Sequence, residues 1–491
     1  MLLAFGAFMF LRNGSAVDPF VANFEEHCGN CHGADLHGNL PLGPALIGVD
    51  LTHGDSVADL SKSIAHGFPQ NGMQAWSDQL SPEEIRGLAI YIAERRVDRL
   101  FTEFNTDAPV TIPKGVVITE VEKFRVEVVT NQLDPLPFSI QPLPDGRILV
   151  SEKMKGLRIV EPKGRISELV SGIPEVFDDG FEAILVWGHG WLLDVALHPD
   201  YENNGWIYLH HTERCAECWL IHRSFNRVVR GRIRNGQWVD EEEIWDPGPE
   251  YYSVIPDVGA GGRLAFDDAG FLYISVGIKG KSNFDGVQDL SKPWGKIHRV
   301  HDDGRVPTDN PFIGNEGAYP TTWTYGHRSP QGLEFNLETG ELWSTEMGPR
   351  GGDELNLLLP GRNYGWPLYS MGLNYDGTPI KYGEWLDIAF DLNDIEQPVV
   401  DLTPAPAVSS FIFYEGKQFP NWRGNALVGS LKGSELYRIV LDENGRFVHY
   451  EVLLKQLARI RDIETGPDGN VYLLLEHTDG GQIVRLVPVD I

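Results

Sequence analysis

The sequence predicts a multidomain chain, in which a small all-α domain precedes a larger all-β domain with the architecture of a six-bladed propeller. Apolar residues recur at helical spacing near residue 85, whereas beyond residue 120 short β-branched and aromatic runs alternate with Gly, Pro, Asn and Asp. A chain of 491 residues also exceeds what one core usually supports. We expect a signal peptide or its remnant at 1–16, the α domain at 17–99, a linker at 100–119 and the propeller at 120–491.

A motif for covalent haem attachment lies near the start of the α domain. Residues Cys28, Cys31 and His32 have the spacing C-x-x-C-H. In this pattern the two thiols add to the vinyl groups of a haem, and the imidazole that follows binds the iron. A chance C-x-x-C beside a histidine is the alternative, but the chain has only four cysteines. The motif therefore predicts one c-type haem, attached through both cysteines, with His32 as an axial ligand.

The haem iron needs a sixth ligand, for which a thioether is the usual soft partner. Met73 is the only methionine between the N-terminal segment and Met154, and the Gly and Pro residues around it let the backbone pass close to a flat macrocycle. We predict that Met73 binds the iron, with ordinary core packing as the alternative. Three histidines are competing ligands that we interpret as surface or propionate-side residues: His37, His53 and His66.

The last helix of this domain is predicted from its start signal. Ser81 is a good N-cap, and Pro82 occupies the first helical position, where its missing N–H costs nothing. Apolar residues then recur at helical spacing, at Ile85, Leu88, Ala89 and Ile92. They form one apolar stripe that we expect to lie across the haem. With Pro44 and Leu46 after the haem motif, residues 17–99 are typical of a class I cytochrome c domain.

The charge and the first residues bound the partners and the location. With 70 acidic and 41 basic residues the net charge is −29, which repels phosphate backbones and anionic membranes, so we expect no nucleic-acid partner. The apolar run from Met1 to Leu11 resembles part of a signal peptide without its basic start, and it is too short to span a bilayer. A weak leader, a truncated leader and a buried helix are the alternatives. Because haem is attached to C-x-x-C-H outside the bacterial cytoplasmic membrane, we expect a periplasmic protein.

A second C-x-x-C, formed by Cys215 and Cys218, is followed by Trp219 and is therefore not a second haem motif. His210 and His211 lie close by in the sequence, and two thiolates with an imidazole are a zinc-like ligand set. A short-loop disulfide is the simpler interpretation for an exported protein. Both interpretations stay open at the level of the sequence.

The all-β region contains recurring units in which two short strands flank a Pro-Asp-Gly-like turn. The clearest units lie at 140–150, 194–209, 263–276, 333–345 and 463–475. Hairpins that recur at unequal spacing indicate a propeller whose blades carry loops of different length, and we expect six blades. Several β-sandwiches are the competing arrangement. The linker contains Pro109 and Pro113 and shows little apolar periodicity.

From about residue 132 to the C terminus the chain carries an ordered series of longer motifs. They are Leu192 to Asp200, Gly261 to Leu264, Tyr325 to Gly332, Glu346 to Glu354, Asn363 to Pro367 and Arg459 to Asp462. On these motifs the segment resembles the soluble pyrroloquinoline-quinone (PQQ) sugar dehydrogenase family, the glucose/sorbosone dehydrogenases, and more closely its bacterial aldose sugar dehydrogenase branch. The resemblance implies a propeller that binds PQQ and calcium and oxidises a sugar.

The resemblance also implies positions for the cofactor and for metals. The residues that match PQQ-contacting positions are Arg328, Tyr375, Lys432, Arg459 and Arg461. PQQ bears three carboxylates, and an arginine can clamp a carboxylate with paired N–H donors. Gly348 and Pro349 match a pair whose backbone oxygens hold calcium at the quinone, and Glu354 and Tyr364 match positions used for a second, structural calcium. For each of these residues taken singly, the alternative is an ordinary structural role as a bridge between blades.

The proton-handling positions depart from the family pattern. The histidine base of the family falls at Gly259, and a carboxylate after the next strand falls at Ile278. The family's Gln beside the cofactor is His189 here, and an Asn is Ser329. We predict His189 as the catalytic base, because imidazole titrates near neutrality. Asp257 as the base, or a plain hydrogen-bonding role for His189, are the alternatives.

The fusion itself favours a dehydrogenase. A two-electron quinol needs two single-electron exits, and a tethered haem supplies one at high effective concentration. We expect PQQ-dependent oxidation of a sugar or another alcohol or aldehyde, with electrons passing to the haem and then to an acceptor such as another cytochrome. The alternatives are an electron-transfer or scaffold protein whose propeller has lost sugar oxidation, and a propeller oxidoreductase with another substrate and without PQQ.

Overall fold

The computed structural model describes residues 19–97, 106–107, 109–177, 190–215, 223–254, 259–278 and 284–489. A small helical domain precedes a ring of β-sheets, so the fold class predicted from the sequence is confirmed. Among the described helices, none is both long and apolar enough to cross a membrane.

The described part of the N-terminal domain contains four helices. They are α1 (Pro19–His27), α2 (Gly29–His32), α3 (Val57–His66) and α4 (Pro82–Arg96), with a 3₁₀ turn at Pro69–Asn71. Their apolar faces meet in one core in which Phe24, Leu60, Leu88 and Ile92 are buried. This core lies against Cys28, which is partly buried at its edge.

Helix α4 begins as its sequence predicts. The Ser81 hydroxyl accepts a hydrogen bond from the Glu84 N–H, and the Glu84 carboxylate accepts one from the Ser81 N–H, which completes a capping box. The burial of the helix exceeds the predicted stripe, because Gly87, Ile90 and Glu94 are buried as well. One face of α4 packs on the helical core, and a second face packs on the propeller.

The strands of the described residues form six antiparallel sheets, which are the six blades. The first three blades are β3 (Pro137–Pro142), β4 (Ile148–Glu152) and β5 (Gly156–Val160); β6 (Leu192–Leu197), β7 (Ile207–Arg214), β8 (Ser224–Arg234) and β9 (Gln237–Trp245); and β10 (Gly261–Phe266), β11 (Phe271–Val276), β12 (Lys296–His301) and β13 (Thr322–Tyr325). Short helices α5 (Tyr201–Asn204) and α6 (Phe284–Gln288) and a 3₁₀ turn at Pro249–Tyr251 lie in their connections.

The other three blades complete the ring. They are β14 (Pro330–Asn336), β15 (Glu341–Glu346), β16 (Glu354–Leu357) and β17 (Val400–Asp401); β18 (Val408–Phe413), β19 (Ala426–Ser430), β20 (Leu436–Leu441) and β21 (Phe447–Leu454); and β22 (Arg459–Thr465), β23 (Val471–Glu476) and β24 (Gly481–Pro488), joined by β2 (Lys123–Leu133) and β1 (Val117–Ile118). Their connections hold α7 (Tyr382–Leu386) and 3₁₀ turns at Leu392–Asp394 and Pro420–Trp422.

The ring closes through the N-terminal part of the propeller. Strand β2 pairs with β24 from Phe124 opposite Pro488 to Leu133 opposite Gly481, so the two ends of the propeller share one blade. Strand β1 lies within the range 100–119 that the sequence assigns to a linker, and it already belongs to this blade. The linker residues Val110 and Ile112 pack on the same hydrophobic core.

All five predicted hairpins are present, as β3–β4, β6–β7, β10–β11, β14–β15 and β22–β23. The inner hairpin of the fifth blade, β18–β19, was not among the predicted units. Its connection spans residues 414–425 and includes the buried Trp422, so no short turn marks it in the sequence.

A buried polar hub holds the inner strands together around the axis. The Arg263 guanidinium lies 2.8 Å from Asp462 and 3.3 Å from Asp194, and it also donates to the backbone carbonyls of Gln331 and Arg461. Asp194 in turn accepts from the Leu264 N–H. Several of the motif residues therefore bridge blades, which is the structural role that the sequence left open for each of them.

A cavity of about 290 Å³ lies on the axis where the innermost strands end, lined in part by Leu197, Phe266, Glu334 and Glu464. The predicted cofactor residues lie at the opposite end, where the innermost strands begin. Arg459 is the first residue of β22, and Arg328 lies two residues before the start of β14. The end that carries them is called the cofactor face below.

Candidate functional site

The haem motif lies on two short helical segments. Cys28 follows α1 and donates its backbone N–H to the Phe24 carbonyl at 2.8 Å, and its own carbonyl accepts from the His32 N–H at 2.9 Å. Both Cys28 and Cys31 are free thiols. Burial, with a smaller contribution from Cys31, raises the pKa of the Cys28 thiol to about 12. The turn therefore presents two thiols and one imidazole within five residues.

The imidazole of His32 is oriented by a backbone contact. Its Nδ1 lies 2.8 Å from the Pro44 carbonyl oxygen, which accepts only if Nδ1 carries the proton. The neutral ring then has its lone pair on Nε2, the atom that would bind iron. This arrangement fits a haem. The role of Pro44, which follows the motif in the sequence, is to orient the His32 ring through its carbonyl.

Met73 lies in a tight turn of the same domain. Its backbone pairs with Phe68 through hydrogen bonds of 2.8 and 3.2 Å, and its side chain is half-buried. Of the competing histidines, His66 has its Nδ1 at 2.9 Å from the Lys62 carbonyl, and His53 stacks on Phe68 with ring centroids 4.2 Å apart. His37 is exposed. Met73 stays the predicted sixth ligand, with His53 as its nearest competitor in this turn.

The cofactor face of the propeller contains a cluster of cations around a single carboxylate. Glu476 lies 2.7 Å from Arg461, 3.1 Å from Arg459 and 3.1 Å from Lys153. Burial opposes the ionisation of Glu476, but the charges of Arg461, Lys153 and Arg459 outweigh it and hold the pKa of Glu476 far below its usual range. Three basic groups against one carboxylate leave a positive excess, which fits the carboxylates of PQQ.

Lys153 is the member of this cluster that titrates near neutrality. Burial and the neighbouring charge of Arg461 lower the pKa of Lys153 to about 7, although Glu476 opposes the shift. Its Nζ also lies 5.5 Å from the centre of the Phe138 ring. An added anion beside Lys153 would favour its protonated form.

Arg328 lies at the same face and has spare hydrogen-bonding capacity. Its Nη1 donates to the Met347 carbonyl at 3.0 Å and its Nη2 to the Tyr375 hydroxyl at 3.2 Å. Its Nε is buried, and no described residue accepts a hydrogen bond from it. The structure thus brings together Arg328 and Tyr375, two predicted PQQ contacts from different blade connections. Lys432, another predicted contact, follows β19 at this face and is half-buried.

The predicted calcium-binding pair at the quinone lies in a turn that the propeller holds firmly. The Gly348 N–H donates to Asp353 at 3.0 Å, and the other oxygen of Asp353 accepts from Val408 at 2.8 Å. None of the described residues donates a hydrogen bond to the carbonyl of Gly348 or Pro349. These oxygens are therefore available to a hard cation.

The predicted structural calcium has a less direct fit. Glu354 pairs across the sheet with Glu346, and burial together with the charge of Glu346 raises the pKa of Glu354 well above its usual range. The Tyr364 hydroxyl donates to the Leu357 carbonyl at 2.6 Å and accepts from the Leu359 N–H at 2.8 Å. The described residues contain no group of three or more His, Cys, Asp or Glu side chains arranged to hold a metal. Any calcium here would depend on backbone oxygens as well.

Gly259, the position at which the family has its histidine base, has little free space beside it. A Cβ atom at Gly259 would lie 3.0 Å from the Ile278 carbonyl oxygen and 3.4 Å from its Cγ1. The two departures from the family pattern therefore pack against each other, and the Ile278 N–H donates to the Arg328 carbonyl at 2.9 Å. The proposed substitutes for the base, His189 and Asp257, lie outside the described residues.

Cys215 is disulfide-bonded and so offers no thiolate to a metal. Cys218 lies outside the described residues. His210 and His211 are fully buried, and burial lowers the pKa of their imidazoles to about 3 and about 4. His210 contacts the Asn226 amide at 2.9 Å. The interpretation of this segment as a zinc site with Cys215 as a ligand is therefore wrong.

Sequence reasoning missed Lys153 and Glu476. Glu476 ends the second strand of a predicted hairpin directly after an apolar run, and Lys153 directly follows the second strand of another. In a propeller this end faces the same way as the start of the innermost strand. A charged residue at the end of the second strand of a hairpin was the signal that could have identified both residues.

Comparison with known proteins agrees with this geometry. Residues 135–485 match the family model described as Glucose / Sorbosone dehydrogenase, and residues 15–92 match that of Cytochrome C oxidase, cbb3-type, subunit III. The aldose sugar dehydrogenase of Escherichia coli (strain K12) is 35% identical over 370 residues, which are 74% of this chain and 92% of that protein. Quinoprotein glucose dehydrogenase B of Acinetobacter calcoaceticus is 26% identical over 442 residues, 76% of this chain and 89% of that protein.

Solved structures share the propeller as well. The apo form of the soluble aldose sugar dehydrogenase from Escherichia coli superposes with a TM-score of 0.66 at 33% identity, covering 74% of this chain and all of that one. The PQQ-bound aldose sugar dehydrogenase from Streptomyces coelicolor gives a TM-score of 0.54 at 26% identity, covering 74% and 98%. The chain belongs to the glucose/sorbosone dehydrogenase family and carries a cytochrome c domain of the cbb3 subunit III type at its N terminus.

Proposed function

We propose that this protein is a periplasmic quinohaemoprotein dehydrogenase, which uses PQQ to oxidise a sugar or another alcohol or aldehyde and passes the electrons to its own haem. The observation that carries the proposal is the cluster of Lys153, Arg459 and Arg461 around Glu476 on the cofactor face. Relatives described as a quinoprotein and as a PQQ-bound enzyme support it. When bound, PQQ supplies an electrophilic quinone that accepts two electrons from the substrate carbon.

The residues of this chain would perform the binding and the orientation. Arg459 and Arg461 are held by Glu476 with their guanidinium groups in place, so little side-chain freedom is lost when a carboxylate binds. Arg328 and Tyr375 would hold the other side of the cofactor. Calcium at the carbonyls of Gly348 and Pro349, and a second, structural calcium at Glu354 and Tyr364, are part of the proposal. Proton removal from the substrate is assigned to His189.

A scaffold or electron-transfer protein is the second candidate function, because Ile278 fills the space beside Gly259 where the family has its base. The experiment that separates the two adds PQQ and calcium to the purified full chain and follows the haem absorption with a panel of aldoses and alcohols. Haem reduction by an aldose supports the dehydrogenase. Cofactor uptake without reduction by any donor supports the scaffold. No uptake of PQQ overturns the dehydrogenase proposed here and favours a propeller oxidoreductase that works without PQQ.

A further inference from the structure

Two loops of the cofactor face lie against the cytochrome domain. The first is the turn 348–353, which includes the predicted calcium-binding pair, and the second is the loop 371–377, which includes Tyr375. The loops are joined to each other, because Arg350 and Leu373 exchange both backbone hydrogen bonds at 2.9 Å. The cytochrome domain therefore contacts the propeller directly beside the proposed PQQ site.

The contact between the loops and the helices is close. Leu373 belongs to the hydrophobic core of the cytochrome domain. A Cβ atom at Gly377 would lie only 2.5 Å from the Phe20 ring of α1, and one at Gly351 would lie 3.2 Å from Ile90 of α4. Such approach leaves no room for water, as in the packed centre of a specific interface.

A buried ion pair crosses this contact. The guanidinium of Arg350 binds both carboxylate oxygens of Glu94, at 3.3 and 2.8 Å, and the two side chains are 2% and 3% exposed. The same guanidinium lies 3.8 Å from the centre of the Phe20 ring. Arg350 thereby contacts both α1 and α4. A charge pair is tolerated in such a place only when its geometry is maintained, so it favours one relative orientation of the domains.

A second polar contact lies two turns earlier on α4. The Nε of Arg86 donates to the Met371 carbonyl at 2.6 Å, and its guanidinium lies 3.5 Å from Asp401. Arg86 and Glu94 are eight residues apart, so their contacts are spread over roughly 12 Å of helix. Two anchored points along one axis restrict rotation more than a single one does.

The contact between the domains is also close, along the chain, to the predicted site of haem attachment. Phe20 lies at the start of α1, and Cys28 follows the end of that helix. Eight residues of helix span roughly 12 Å, so one short helix separates the cofactor-face loops from a haem-bearing sulfur.

We propose that residues Phe20, Arg86 and Glu94 of the cytochrome domain and Arg350, Leu373 and Gly377 of the propeller form a fixed docking junction through which electrons pass from the propeller to the haem. This proposal rests on the proposed function. Oxidation of one alcohol group to a carbonyl releases two electrons and two protons. Each electron reduces one Fe(III) to Fe(II), the protons go to solvent, and an external one-electron acceptor reoxidises the iron after each transfer. Glu94 and Arg86 are positioning residues in this scheme.

The test compares Glu94→Gln and Arg86→Ala with the wild-type full chain and with Glu83→Gln, the same acid-to-amide change on the first turn of α4. Each protein is loaded with PQQ and calcium and mixed with glucose. Haem reduction is followed by stopped-flow absorption, and reduction of a dye that accepts electrons directly from the propeller is followed in parallel. We expect haem reduction to slow by roughly tenfold or more in both junction variants, since reacting groups lose their fixed geometry, while dye reduction is unchanged. Glu83→Gln is expected to match the wild type.

Amide hydrogen exchange on the same proteins tests the junction independently of activity. Protection of 371–377 and of α4 is expected in the wild type and is expected to fall in Glu94→Gln, with an unchanged haem spectrum as evidence that the cytochrome domain is folded. The junction would be overturned if Glu94→Gln and Arg86→Ala both reduced the haem at the wild-type rate and kept the wild-type protection from exchange. A wild-type protein that fails to reduce the dye with glucose or any other aldose or alcohol would overturn the proposed function instead, and the exchange result would still decide whether the domains are docked.

Discussion

The haem site and the propeller site of this protein are assembled in opposite ways. Cys28, Cys31 and His32 lie in one run of five residues, and a single helical turn with one contact to Pro44 orients them. The cation cluster of the propeller joins Lys153 to Glu476, which are 323 residues apart. A local motif can be recognised from spacing alone, whereas a site assembled from several blades depends on the closure of the whole ring.

The largest expected effect concerns the local site. Replacing both cysteines, Cys28→Ser with Cys31→Ser, should abolish covalent haem, because no thiol remains to add to the vinyl groups. The measurement is haem absorption after denaturation, with Met73→Leu as the matched variant that keeps the covalent bond and loses only the proposed thioether ligand. Haem that stays attached to the double variant would contradict the assignment. The β-sheet circular dichroism of the propeller should not change.

The assembled site predicts a large but partial effect. Arg461→Ala should weaken PQQ binding by roughly 10- to 100-fold, because a charge-assisted pair contributes about 1.5–3 kcal/mol and the other cations remain. Reconstitution of the apo protein with PQQ, followed by fluorescence or dye-linked activity, measures this change. Arg485→Ala is the control, since Arg485 forms an exposed pair with Glu127 on the outer strands. Equal binding by both variants would place the cofactor elsewhere.

Lys153 predicts a moderate effect of pH on the same equilibrium. The pKa of this amine in the free protein is about 7, lowered by burial and Arg461. A bound carboxylate raises that pKa, so binding takes up a proton above pH 7 and affinity falls by up to roughly tenfold per pH unit there. Below pH 7 affinity should be flat, because the amine is already protonated. Lys153→Met should remove the dependence, and a wild-type affinity that is constant between pH 6 and pH 9 would refute this assignment.

The smallest expected effect tests the filled space beside Ile278. Gly259→His should lower the free energy of unfolding by about 1–3 kcal/mol through overpacking, and Ile278→Ala in the same chain should recover part of the loss. Urea unfolding of the full chain measures both changes. A histidine at 259 that costs nothing would show that the space is open, and the loss of the family's base would then need another explanation.

Sequence reasoning proposed residues for both sites, but it missed Lys153 and Glu476 and indicated the arrangement of the sites only in part. The start of α4 follows from Ser81 and Pro82, because a capping box is a local interaction. The same reasoning predicted a single apolar stripe on α4, since nothing near Ile90 or Glu94 in the sequence shows that a second face is covered. Five inner hairpins were predicted from their turns, while β18–β19 was missed because its connection is long.

The propeller motifs illustrate the same limit. Asp194, Arg263 and Asp462 lie in motifs recognised through a family resemblance, and the structure shows that Arg263 contacts both aspartates at the axis. Glu476 carries no such motif of its own, yet it orients Arg459 and Arg461. Its contact with Lys153 depends on two blades meeting at one face, which spacing along the chain does not encode.

The sequence by itself predicted covalent haem attachment, and it determined the helix start and hairpins set by local caps and turns and the family of the propeller. Each of these depends on neighbouring residues or on an ordered series of motifs. Only the tertiary structure decided which charges meet. Glu94 and Arg350 form a buried pair across 256 residues, and their energy depends on the exclusion of water by two packed domains. Burial and long-range pairing are properties of the assembled fold, so the contact between cytochrome and propeller became visible only there.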